Sequence, residues 1–205
     1  MNGTPARTAV ENDATPLPSQ VVPIPELPAT QEELAASAAE RLGWQGTVLP
    51  QMTLMGRRVV VIAELLAEAH AERVCLGAGP VADRTTVATW VWPEMEGRVP
   101  PAAVRLVGVV AAAKHWRTAL ASVVPFARYG HGAIVLPAAA VLSHDYISNC
   151  LPRARRYGVT VLSVDQDGTL ALDLAGRQDN VPVEDTAVTR WVNELVYERV
   201  LATTS

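Results

Sequence analysis

Lysine is almost missing from this chain: of its 17 basic residues only Lys114 is not an arginine. Cysteine is nearly as sparse. Cys75 and Cys150 are too few for a disulfide framework, and the expectation is two buried thiols in a reducing cytoplasm. No apolar run approaches the length of a membrane span, so no membrane-crossing helix is expected. No apolar segment follows the first arginine, so no secretory signal is expected either. Positive charge is in deficit: the formal net charge is −4. That argues against a protein wrapped in nucleic acid by bulk charge, while leaving room for a local basic patch. The four histidines, His70, His115, His131 and His144, lack zinc-ligand spacing. Gly77-x-Gly79 lacks the rest of a dinucleotide fingerprint. Ser143-His144-Asp145 holds the residue types of a catalytic triad, but sequence neighbours seldom converge on one point, and Ser143 reads as a helix cap.

What is present is apolar content of 49% over 205 residues, enough for one α/β domain and a tail. Residues 1–28, rich in Pro, Thr, Asn and Ser, read as a disordered or extended tail, and residues 29–205 as a single domain. Thr30 and Glu33 form a capping box for a helix that Gly43 stops. Val48 to Met55 is extended. Arg57 to Ala71 mixes strand-preferring Val59-Val-Val-Ile62 with a helix-preferring stretch, and is expected to be helix over most of its length. Arg73 to Leu76 is expected as a short strand and Gly77 to Pro80 as a turn. Thr85 to Trp92 is expected as an alternating strand with Trp90 and Trp92 on one face, suited to an interface. A loop from Glu94 to Pro101 leads to a central strand, Val104 to Val110. Trp116, Ala119, Leu120, Val123 and Val124 make a helical stripe. Ala133 to Leu136 is another buried strand. Leu151 to Tyr157 is a short helix with Pro152 in its first turn and Gly158 as its cap. Val159 to Val164 and Thr169 to Leu174 form a hairpin around Asp165-Gln-Asp-Gly168, whose further residues do not fit a calcium loop. Val188, Trp191, Val192, Leu195, Val196 and Val200 line a closing helix. The order predicts an α/β fold, a mixed sheet with helices on both faces.

Several phrases carry a resemblance. Val81-Ala-Asp83 looks like an acid position, Lys114-His-Trp116-Arg-Thr-Ala-Leu120 like a helix start, and Ala133-Ile-Val-Leu-Pro137 like the strand after it. Tyr157-Gly-Val-Thr-Val through Gly168 looks like a late strand and turn. Together they resemble the PD-(D/E)xK nucleases, over about the last two-thirds of the chain. The resemblance implies a restriction-endonuclease-like mixed β-sheet core flanked by helices. In that family an acid on the second strand and Glu-x-Lys on the third act together. The carboxylates hold Mg²⁺ or Mn²⁺, which activates water, and the lysine stabilises developing charge. Here the Glu and Lys positions fall on Val110 and Ala112, which can do neither.

The resemblance therefore implies a degenerate nuclease, acting by binding nucleic acid, such as DNA, or a protein partner, as a cytoplasmic homo-oligomer without a cofactor. One alternative is a metal-dependent nuclease with a migrated site: Asp83 as metal ligand, Lys114 recruited from the helix start, and Glu64, Glu94 or Glu96 as second carboxylate. Another is a protein-interaction or structural module that does not bind nucleic acid, with an exposed apolar patch around Trp90 and Trp92. For nucleic acid, the candidates are Arg153, Arg155 and Arg156 with Arg117, because a guanidinium fork bonds two phosphate oxygens.

Overall fold

The computed structural model describes residues 25–179 and 185–204. Of the expected tail, residues 1–24 lie outside that range. Pro25 to Pro28 lie within it, and Leu27 packs against the core.

The chain begins with α1 (Gln31–Leu42), closed at its start by the Thr30/Glu33 capping box and at its end by Gly43 at φ 68°. A broken strand follows, β1 (Thr47–Val48) and β2 (Met52–Leu54), and both parts pair antiparallel with β3 (Arg57–Leu65). Met55 and Gly56 both take positive φ, the geometry of a tight hairpin turn that matches strand twist. β3 lies where a helix was expected over most of Arg57 to Ala71. Val59 to Ala63 are buried without a break, and partners on both edges overrule the helix preference of the alanines and glutamates. Helix resumes only at α2 (Ala67–Cys75).

Two more expectations fail in the next segment. Arg73 to Cys75 is the last turn of α2, not a strand. Thr85 to Trp92 is not a strand either: Asp83 caps α3 (Arg84–Thr89) by accepting from the Thr86 N–H at 2.7 Å, and a turn then carries the chain past Trp90 and Trp92. β4 (Val104–Ala112), α4 (Trp116–Val123) and β5 (His131–Pro137) form a parallel strand–helix–strand unit close to the expected bounds. After α5 (Ala138–Val141), a π-helical turn (Tyr146–Cys150) runs into α6 (Leu151–Tyr157), and Ser143 Oγ accepts from the Tyr146 N–H as a cap. β6 (Thr160–Val164) and β7 (Leu170–Leu174) make the expected hairpin, and α7 (Ala187–Thr204) closes the fold. Of the two cysteines, Cys150 is buried as expected but Cys75 is exposed.

The result is a mixed sheet of seven strands in the order β1-β3-β4-β5-β6-β7, with β2 beside β3. Alternate residues of the central strands face opposite layers. Val60, Ile62, Val110, Ala133, Val135 and Leu162 pack with Leu34, Ala35, Ala38 and Ala39 of α1. Val61, Val109, Ala111, Ile134 and Val161 pack with residues of α4, α6 and α7. Among the described residues, no helix is long and apolar enough to cross a membrane.

One ion pair ties this second layer together. Arg73 is 0% exposed and Glu194, on α7, is 3% exposed. They meet in a two-pronged bond of 2.6 and 2.8 Å. Arg73 also donates to the carbonyls of Ala78, Gly79 and Pro101, its guanidinium lies 4.7 Å from the Tyr197 ring centre, and Glu194 accepts from the Val81 N–H. Every group on both side chains that faces the interior thus has a partner. Glu194→Ala should lower the unfolding free energy by about 3–5 kcal/mol in urea denaturation, because it strands a buried charge. A loss near that of an ordinary surface substitution, within about 0.5 kcal/mol, would show that the pair does not hold the layer.

Candidate functional site

The end of β4 is where the resemblance puts Glu-x-Lys. Val110 and Ala112 do share a face, as strand periodicity requires, and both are buried against α1. Neither offers a ligand. Gln31, the first residue of α1, fills the space beside them: its Nε2 donates to the Ala112 carbonyl at 2.8 Å and its Oε1 accepts from the Ala112 N–H at 3.1 Å. Lys114 pairs with Glu26. The groups gathered here are a neutral amide already bonded to backbone, aliphatic side chains and an ion pair. This donor set does not fit Mg²⁺ or Mn²⁺, which take oxygen ligands, chiefly carboxylates.

Asp83 stands on no strand. Its carboxylate accepts from both the N–H and the hydroxyl of Thr86, and these bonds hold it below the usual carboxylate range. It lies two residues from Val81, whose N–H bonds Glu194 at the entrance to β4, whereas Lys114 follows the exit of that strand. Nine residues of strand at about 3.3 Å each separate the two ends, so Asp83 and Lys114 do not share a site. Glu64 pairs with Arg105 across the β3–β4 ladder near the entrance end. Glu94 lies in a 3-10 turn (Pro93–Met95), and Glu96 follows it. Among the described residues, no group of three or more His, Cys, Asp or Glu side chains is arranged to hold a metal ion.

A different constellation forms just beyond β4. Asp145, which sequence reasoning set aside with its Ser-His-Asp run, receives the Trp116 indole N–H at 2.8 Å, the Asn149 amide at 2.8 Å and an Arg117 N–H at 3.0 Å, with the other Arg117 nitrogen 2.9 Å away as an ion pair. These donors, the Trp116 N–H first, hold the Asp145 carboxyl below its ordinary range. The Arg117 guanidinium lies 4.4 Å from the Trp116 ring centre and that of Arg153 lies 5.4 Å from it. Arg155 and Arg156, on the same short helix as Arg153, are exposed and carry no carboxylate partner among the described residues. Of the predicted arginines, the structure thus brings Arg117 and Arg153 together on one indole. It sets none of them against Asp83.

Behind this surface the π-helical turn is anchored from below. Tyr146 donates to Asp173 at 2.6 Å, and Asp173 also accepts from Ser163 at 3.1 Å. Burial, with the Asp173 carboxylate beside it, pushes the Tyr146 hydroxyl up from its ordinary pKa. Burial also pushes the Cys150 thiol up to about 11, so it remains an inert core thiol. Apart from Asn149, four residues on, the partners of Asp145 stand 28 and 29 residues away and those of Asp173 stand 27 and 10 away, so local sequence says little of either.

A cleft of about 810 Å³ opens at the other end of β4, lined by Trp90, Trp92, Met95, Pro101, Arg190 and Glu194 among others. Trp90 is 8% exposed and Trp92 is 58% exposed. No protein-family model matches the chain, and no curated protein or solved structure matches it either.

The Asp145 bonds give a pH signature. A carboxyl whose pKa is lowered by folding stabilises the fold above its ordinary pKa, near 4, and loses that contribution as pH falls through the lowered value. Asp145→Asn should therefore flatten the fall in melting temperature below about pH 4 relative to wild type. Equal slopes in the two proteins would show that the carboxylate does not hold Trp116 and Arg117.

Proposed function

We propose that this protein is a divergent restriction-endonuclease-like domain that binds nucleic acid and does not cleave it, using the arginine-rich face of α4 and α6. The observation that carries the reading is the pair of guanidinium groups, Arg117 and Arg153, held over Trp116 beside the uncommitted Arg155 and Arg156. Arginine forks take phosphate oxygens, and the Trp116 indole, itself only 7% exposed, serves to hold the guanidinium groups rather than to stack a base. The fold reading draws support from the order helix, antiparallel strands, then strand–helix–parallel strand, which is the order the resemblance implies. The loss of hydrolysis draws support from Val110 and Ala112, from the Gln31 amide that fills the space beside them, and from the separation of Asp83 and Lys114. With a net charge of −4, binding is local, weak and sensitive to salt.

Fluorescence anisotropy with labelled single-stranded and duplex DNA tests this. Wild type should bind at low salt, with affinity falling by about 0.9 log units per log unit of salt for each duplex phosphate contacted. Arg153→Ala/Arg155→Ala/Arg156→Ala should bind at least about tenfold more weakly and with a shallower salt slope. In Mn²⁺ neither wild type nor Asp83→Ala should cut the DNA. Cleavage by wild type that Asp83→Ala abolishes would replace this reading with a migrated-site nuclease. Absence of binding at low salt would remove it.

The Trp92 exposure favours a second reading, in which the cleft at the entrance to β4 seats a second copy of the chain. Sedimentation velocity should then show a dimer that Trp92→Asp converts to monomer. A wild-type monomer across the concentration range would end that reading.

A further inference from the structure

A second cleft, of about 430 Å³, opens where β5 begins; Tyr157 at the end of α6 lines it, but Arg117, Arg153, Arg155 and Arg156 do not. Its volume lies within the roughly 300–1,000 Å³ typical of small-ligand sites. Its floor is an aromatic shelf that the backbone has made room for. Gly108 of β4 pairs with His131 of β5 across the ladder. A Cβ at Gly108 would collide with the Trp44 indole, so the absence of a side chain there is what allows the indole to lie against the strand. Trp44 then stacks on His131, ring centres 5.7 Å apart and planes 23° apart. The two half-buried rings together span two neighbouring strands.

Cationic groups stand around this shelf. Arg128 lies 5.8 Å from the ring centre of Tyr129, and both line the cleft. Arg177 is fixed by its backbone: its N–H donates to the Gly158 carbonyl at 2.9 Å, and its carbonyl is 3.2 Å from His131 Nδ1. A carbonyl only accepts, so that contact keeps a proton on Nδ1 and leaves His131 Nε2 for a ligand. Arg105, also in the lining, is occupied by Glu64. Arg128 and Arg177 have no carboxylate partner among the described residues, and Asp179 is the one acidic residue in the described lining. In a chain of net charge −4, two unpaired guanidinium groups beside stacked rings form a site of opposite sign to the molecule as a whole.

We propose that this cleft binds a nucleoside 5′-monophosphate, its base on the Trp44–His131 shelf and its phosphate between Arg128 and Arg177. The planar rings supply stacking that tolerates any base, and the two arginines supply charge-assisted bonds to the phosphate. The same chemistry is offered by a free mononucleotide and by the 5′-phosphorylated end of a strand. The site is independent of the DNA-binding reading above, because none of Arg117, Arg153, Arg155 or Arg156 lines it.

Isothermal titration of the full chain with the four nucleoside 5′-monophosphates, the matching nucleosides and inorganic phosphate tests the proposal. At least one monophosphate should bind more tightly than both its nucleoside and inorganic phosphate. Arg128→Ala and Arg177→Ala, both at exposed positions, should each weaken that binding by about tenfold with the melting temperature unchanged. Arg153→Ala should leave it unchanged, which separates this site from the α4–α6 face. A 5′-phosphorylated dinucleotide that binds more tightly than the mononucleotide would support the strand end as the source, and equal binding would support the free nucleotide. No binding of any monophosphate at roughly millimolar concentration would overturn the proposal. So would affinity unaffected by both arginine substitutions, or inorganic phosphate binding as tightly as the nucleotides.

Discussion

The bidentate bond between Arg73 and Glu194 is the contact on which the second layer of this fold depends. It joins residues 121 positions apart and brings four pieces of chain to one point: the end of α2, the turn through Ala78 and Gly79, the Pro101 approach to β4, and α7. A buried charge pair is costly to desolvate, and it is tolerable here because nearly every donor and acceptor on both groups is used. Tyr197 reinforces the arrangement from the next turn of α7. Its ring lies beside the Arg73 guanidinium and its hydroxyl is 2.8 Å from His70 Nδ1. α2 and α7 are thereby locked in register with the first residues of β4, and the tryptophan-lined cleft is framed by the same network.

Downstream of that anchor, the chain separates its charged surfaces to opposite ends of the parallel strands. At the exit of β4 lie Trp116, Arg117 and Arg153, with Asp145 holding the first two in place. At the start of β5 lie Trp44, His131, Arg128 and Arg177. At the start of β5 the rings are half-buried beside the arginines, a pairing suited to ligands that are flat at one end and anionic at the other, whereas at the exit of β4 the Trp116 indole is buried and serves to order the arginines. Between them the sheet interior is aliphatic, with Val110 and Ala112 buried against α1.

The strand–helix–strand unit from β4 to β5, the β6–β7 hairpin, α1 with its capping box and α7 follow from local signals. A capping residue, a terminal glycine or an unbroken β-branched run acts over a few residues, and nothing distant opposed those signals here. The segment from Arg57 to Trp92 did not follow its local pattern. β3 forms because both its edges find partners, from β1 and β2 on one side and β4 on the other, and Arg73 is buried in a helix because Glu194 waits for it. Alternation over Thr85 to Trp92 imitated a strand, while the Asp83 cap started a helix.

The sequence by itself determined the α/β class of the fold, the scarcity of lysine, and the presence of an arginine cluster on α6. Those properties depend on composition and on neighbours in the chain. Only the tertiary structure decided which arginines meet an aromatic ring, that Asp145 organises one surface, and that Gly108 makes room for the shelf of the other. The reason is physical: Arg153 meets Trp116, Trp116 meets Asp145 and Trp44 meets Gly108 across tens of positions, and the sheet register that brings them together is set by burial of the whole core.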